Sequence, residues 1–317
     1  MPQAEWSAAR VSGPQRVGRS HSSAGRRTRA AEADAPGQTA RFMYGLRKRR
    51  RRQMLRAKPF PASWRRTLEG KFPLFTRLPT QDQRELEGHI QVFVAEKRFE
   101  GCGGFQITDE VRVLIAAQAC LVILHRDTDY FPTLRSILVY PDIYVARTAR
   151  REEDELIDRK SRSRLGESGK GAVILSWSAT LGGAAVPDDG VNLVLHEFAH
   201  QLDEENGVVD GAPWLGGGGL RERHFRYLTW ARILGAEYAR LRHESEAGRE
   251  TVLDQYGAEH PAEFFAVATE CFFEKPRQLQ QRHPKLYDEL KQFYRQDPVT
   301  FASPAGPEGG RLPSLAP

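Results

Sequence analysis

From Thr80 onward, Leu86, Ile90 and Phe93 recur at helical spacing, so the pattern predicts an amphipathic helix with Thr80 as its cap. A second, strongly apolar helix is expected over residues 108–124, capped by Thr108 or Asp109. Ile137-Leu-Val-Tyr140 before Pro141 reads as a short strand, and Gly171-Ala-Val-Ile-Leu-Ser-Trp177 as another. The charged stretch 147–164 between them is expected to be a surface loop. Asp188-Asp189-Gly190 offers caps for a helix reaching about Asp203, and Asn206-Gly207 supplies its stop. After four glycines at 216–219, helical patterns return over residues 220–241, over 262–274 behind Pro261, and over 284–294.

Outside this patterned stretch the chain changes character. Residues 1–39 are rich in Ala, Gly, Ser and Arg and nearly free of large apolar side chains. Such a segment cannot bury enough surface to offset its chain entropy. Arg47-Lys-Arg-Arg-Arg-Arg52 follows, and Met43 just before it is an alternative start. The expected division is a disordered basic arm over 1–57, one folded domain over 58–300 and a disordered tail over 301–317. Residues 1–66 hold 17 Lys/Arg against 3 Asp/Glu, or +14, so the total of +6 leaves −8 for the remainder. The body is therefore acidic and the arm basic. The run could bind nucleic acid or anionic lipid, but no aromatic residues interleave it and no second basic stripe supports it, so a solvated arm is the favoured reading. Three cysteines without a C-x-x-C pair point away from a disulfide framework. The first 40 residues lack a signal-peptide core, and the longest apolar run is too short to span a bilayer. A cytoplasmic protein is expected.

The chemistry concentrates in Val194-Leu-His-Glu-Phe-Ala-His200, which contains H-E-x-x-H. On a helix, His196 and His200 lie one turn apart and project from one face, where two neutral imidazoles can share a tetrahedral zinc ion. Glu197 lies about 100° around the helix, badly placed as a ligand but well placed to take a proton from an activated water. Val191, Val194, Leu195, Phe198, Ala199 and Leu202 cover most of the circumference, so the helix is expected to be buried. Buried polar groups without partners are costly, and a metal would satisfy these.

A catalytic zinc needs a third protein ligand. The metzincin pattern would require glycine at 203 and histidine at 206, where this chain has Asp203 and Asn206. The ligand must then come from farther away. In His260-Pro-Ala-Glu-Phe-Phe-Ala-Val-Ala-Thr-Glu270, Glu263 and Glu270 share a helical face that is otherwise apolar. Glu263 in the first turn is the favoured ligand, Glu270 the alternative or the hydrogen-bond partner of a ligand histidine, and His260 a further alternative.

HEFAHQLDEENG and the later YGAEHPAEFFAVATECFFEKP, with GFQITDEVRVLIAAQACLVIL, ILVYP, VILSW and QFYRQDP, resemble the Mlc titration factor A family of zinc-dependent peptidases. The resemblance covers about residues 58–298. It implies an α+β, zincin-like metallopeptidase fold, with a small mixed sheet packed on the active-site helix and a mainly helical C-terminal part. It implies zinc held by His196, His200 and Glu263, with Glu197 as general base and Tyr256 donating its phenol to the oxyanion. It also implies aminopeptidase activity on a peptide substrate, and a transcriptional regulator as a protein partner. From the fold likeness, the strand at 171–177 would pair with extended substrate, and the glycine-rich 207–219 would be a flap.

Overall fold

The computed structural model describes residues 36–142 and 171–302, with side chains from residue 45 onward. The expectations for residues 1–35, for the loop at 147–164 and for the tail from 303 lie outside the described residues.

The first described element lies within the stretch expected to be a basic arm. Helix α1, Pro36–Arg56, carries the basic run. Lys48, Arg52 and Arg56 recur every four residues and so form one row along it. Arg52 grips Glu96 with two nitrogens, at 2.9 and 2.7 Å, and reaches Asp129 at 2.6 Å. Lys48 meets the same Asp129 at 2.7 Å, and Arg56 Nε donates to the Tyr130 hydroxyl at 3.0 Å. A Cβ at Gly88 would lie 3.2 Å from Arg56 Cγ, so glycine there lets α1 lie close on α4. Composition shows only excess charge here. Helical spacing matched to distant acids is what folds it.

Helices α2, Ala62–Lys71, and α3, Pro73–Arg77, lead into α4, Thr80–Glu96. Its inward residues include Leu86, Ile90 and Phe93, but Thr80 is the first helical residue and makes no capping bond. Strand β1, Arg98–Gly101, is followed by α5, Asp109–Leu121, whose N-cap Thr108 accepts from Val111 N. Asp109 and Glu110 in its first turn favour the positive end of the helix dipole. Strands β2, Ser136–Tyr140, and β3, Ala172–Ser176, complete a sheet of order β1-β2-β3.

Both pairings are parallel, with Phe99 beside Ile137 and Ile137 beside Val173. The small mixed sheet of the sequence reading is thus, among the described residues, wholly parallel. Parallel neighbours need a crossover between them, and α5 supplies it between β1 and β2. Ile137, Val139, Val173 and Leu175 are buried while Ser136, Leu138, Tyr140, Ala172 and Ile174 are partly exposed, so the sheet keeps one face on the core.

Helix α6, Trp177–Ala185, precedes α7, Leu193–Glu204, which carries the H-E-x-x-H residues. A long α8, Leu220–Glu246, and a 3₁₀ turn, Gln255–Ala258, come before α9, Pro261–Glu274. The last two helices are α10, Pro276–Arg282, and α11, Pro284–Tyr294. Pro261 occupies the first turn of α9, where its missing N–H costs nothing, and His260 Nδ1 accepts from Ala262 N. All 14 residues of α9 are buried, which makes it the central helix of the C-terminal half. The molecule is mostly helical, with one small parallel sheet. Among the described residues no helix is long and apolar enough to cross a membrane.

Candidate metal centre

Helix α7 starts at a cap the sequence reading misplaced. Asn192 Oδ1 accepts from Leu195 N at 3.0 Å, whereas Asp189 closes a local turn onto Val191 N. On the far side of α7, Phe198 packs on Phe131 and Phe93, with ring centroids 4.8 and 5.6 Å away. That aromatic contact fixes the helix's rotation, so His196, Glu197 and His200 turn toward α9.

Helix α9 lies along α7 and places two carboxylates on the two nitrogens of one ring. Glu263 Oε2 is 3.1 Å from His196 Nε2, and Glu270 Oε1 is 2.7 Å from His196 Nδ1. A carboxylate only accepts, so each nitrogen of the free ring can carry a proton toward its carboxylate, and a metal on Nε2 would leave Nδ1–H donating to Glu270. His200 Nε2 lies 3.3 Å from His196 Nε2 and 3.5 Å from Glu263 Oε2. Among the described residues these three form the one such cluster of metal-ligating side chains, their ligand atoms all within 4.8 Å.

The three separations can be tested against a metal. A tetrahedral site with bonds of ~2.0–2.1 Å has ligand atoms ~3.3–3.4 Å apart. The observed 3.1, 3.3 and 3.5 Å bracket that spacing. Electrostatics agree. Burial works against a charged His196, yet Glu270 and Glu263 outweigh it and raise its pKa to about 10. Burial also works against Glu263, yet His196 and His200 hold its carboxyl far below the usual range. The pocket therefore demands positive charge between its carboxylates, which a divalent cation satisfies. Two imidazoles and one carboxylate are a donor set suited to such an ion.

Glu197 is 2% exposed. Its pKa is raised, chiefly by burial, with His196 and His200 opposing and Glu263 and Glu270 adding to the rise. A buried carboxyl whose proton affinity is raised in this way, beside two imidazoles, is suited to taking and returning a proton. Tyr256, on the 3₁₀ turn, has its ring centroid 6.0 Å from that of His196. His260 does not join the cluster, and caps α9 instead.

Behind His196 lies a network whose outer members sequence reasoning missed. Glu270 Oε2 accepts from Asn192 N at 2.5 Å, while Asn192 Nδ2 donates to Glu274 Oε1 and to Gly183 O, each at 3.0 Å. Asn192 thus caps α7 and ties it to α9 and α6. Burial lifts Glu274 to a pKa of about 9, so it stands protonated at neutral pH. His200 is held differently, because its buried Nδ1 meets no hydrogen-bonding group among the described residues.

The glycine-rich stretch after α7 is bonded on both sides. Asp203 accepts from Gly211 N at 2.6 Å, Trp230 Nε1 donates to Gly211 O at 2.8 Å, and Asn206 Nδ2 donates to Ala212 O at 2.6 Å. Its first half is therefore tethered to α7 and α8. The three cysteines are free, as expected.

An uncharacterised protein of Synechocystis sp. is 39% identical over 251 residues, covering 78% of this chain and 89% of its own. Mlc titration factor A of Escherichia coli O7:K1 is 31% identical over 240 residues, or 74% of this chain and 86% of its own. The protein of that name from Shigella flexneri serotype 5b is 30% identical over the same length. The profile of the glucose-regulated metallo-peptidase M90 family matches residues 46–295, beginning inside α1 and ending just past α11, and the chain belongs to that family.

Proposed function

We propose that the protein is a zinc-dependent peptidase of zincin type, acting as an aminopeptidase, with His196, His200 and Glu263 as metal ligands. The observation that carries this reading is the convergence of those three ligand atoms beside the buried Glu197 carboxyl. A zinc ion held there supplies Lewis acidity and lowers the pKa of water to about 7.

The chain's own groups do the rest. Glu197 takes the proton from water as its oxygen attacks the scissile carbonyl, then delivers that proton to the leaving amine. Tyr256 donates its phenol to the carbonyl oxygen as negative charge develops there. Glu270 keeps His196 in the tautomer whose Nε2 is free to bind. Strand β3 is the last strand of the described sheet and touches α7, so its outer edge is the place for an extended peptide to pair.

The test is Glu197→Gln. This variant should bind zinc as the parent does and lose hydrolysis of aminoacyl and peptide reporters by a factor of at least ~10². Undiminished hydrolysis would remove Glu197 from the mechanism.

A second reading is favoured by the name of the 30–31% identical relatives, Mlc titration factor A. In it the protein binds a transcriptional repressor and withholds it from its operator, with zinc only structural. Metal-loaded protein that releases a repressor from DNA equally well as parent and as Glu197→Gln, with neither hydrolysing peptides, would establish that reading over the first.

A further inference from the structure

Helix α1 has two opposite faces with different fates. Its inner row, Lys48, Arg52 and Arg56, is consumed by Glu96, Asp129 and Tyr130. Its outer row, Leu46, Arg50 and Met54, also recurs every four residues and points away from the body, with Arg47 and Arg49 on either side. All five outer residues are exposed, Leu46 by 40% and Met54 by 63%. None of the three arginines makes an ion pair with a described residue, whereas Lys48, Arg51 and Arg52 all do. Cations and apolar side chains thus share one solvent-facing strip, on a helix that is itself bolted to the fold.

We propose that this outer face is a docking surface for an anionic lipid bilayer. Arg47, Arg49 and Arg50 meet the headgroups, while Leu46 and Met54 enter the boundary with the acyl chains. Charge complementarity sets the orientation. Residues 67–317 carry a net −8 and are repelled by an anionic surface, so the basic helix turns toward it. The apolar pair selects a bilayer over a nucleic acid, since phosphate backbones reward cations but give Leu46 and Met54 nothing to enter. The helix lies on the membrane and does not cross it.

The experiment is sedimentation of the full chain with phosphatidylglycerol-rich vesicles, with phosphatidylcholine vesicles and duplex DNA as parallel arms. The expected result is binding to the anionic vesicles that weakens with salt, and none to the neutral ones. R47Q/R49Q/R50Q should weaken it about 100-fold, from ~1 kcal/mol per cation. L46Q/M54Q keeps every charge and should weaken it about tenfold through lost apolar burial. Both sets of positions are exposed, so unchanged melting temperatures would show the fold intact. No sedimentation with anionic vesicles at low salt would overturn the proposal. So would binding that R47Q/R49Q/R50Q leaves at parent strength, or binding that L46Q/M54Q leaves at parent strength and that duplex DNA matches, which is the outcome of bare polyanion attraction.

Discussion

Glu270 is the residue on which the account is most exposed. It sits 6% exposed, with Oε1 2.7 Å from His196 Nδ1 and Oε2 2.5 Å from Asn192 N. Hydrogen bonds to a charged group contribute about 1.5–3 kcal/mol, and outer partners of ligand histidines typically govern about 10–100-fold in metal affinity. The two ranges agree, since tenfold is about 1.4 kcal/mol. Glu270→Ala should therefore weaken zinc binding by about 10–100-fold, and Glu263→Ala, which removes a proposed ligand, by more. Glu270→Gln is no rescue. Its amide has one accepting oxygen for two donors, so one of His196 Nδ1–H and Asn192 N–H must face an NH₂. The assay is competition with a chromophoric zinc chelator, with melting curves of the metal-free variants to confirm folding. Parent affinity in Glu270→Ala, or a greater loss there than in Glu263→Ala, would refute the assignment.

Other outcomes follow from the same contacts. A Cβ at Gly183 would stand 2.9 Å from Asn192 Cγ and 3.1 Å from its Cα. Gly183→Ala should thus cost about 1–3 kcal/mol in chemical denaturation and weaken zinc binding through the displaced Asn192. Burial raises the Glu274 pKa to about 9 from an ordinary 4.5, so the folded state holds a proton that the unfolded state has lost. The resulting stability is complete below pH 4.5 and disappears as pH rises through about 9, and Glu274→Gln should flatten the decline in melting temperature across that window. Arg52→Ala leaves the half-buried Glu96 only the longer Arg51 pair at 3.6 Å and should destabilise by about 1–3 kcal/mol, while Arg49→Ala on the outer face should stay within about 0.5 kcal/mol.

What the sequence disclosed, and what it hid, divides by range. Helix α7 is readable because His196, Glu197 and His200 interrupt an otherwise apolar helix at a spacing that one ion explains. Helix α9 is readable because Glu263 and Glu270 stand on an apolar face seven residues apart. Their division of labour over one imidazole depends on how α9 lies against α7, which no local pattern encodes. Asn192 was legible as an Asn just before an apolar run, but Asp188-Asp189-Gly190 offered a stronger-looking cap. Glu274 and Gly183 act only through Asn192 and carry no local signal. Strand β1, at four residues, is too short for alternation to show, and it stops where a Cβ at Gly101 would strike the Phe105 carbonyl oxygen. The basic run gave the most misleading signal. Its charge resembles a solvated arm, and only Glu96 and Asp129, 44 and 77 residues from Arg52, explain its folding.

The proposed site holds one zinc ion between two imidazoles and a carboxylate. Zinc-edge X-ray absorption on the purified protein, with the metal content measured on the same sample, tests it directly. The expected spectrum has nitrogen and oxygen neighbours at ~2.0–2.1 Å and the outer-shell signature of two histidines, at one zinc per chain. Sulfur neighbours at ~2.3 Å, or a spectrum unchanged in Glu263→Ala, would contradict it.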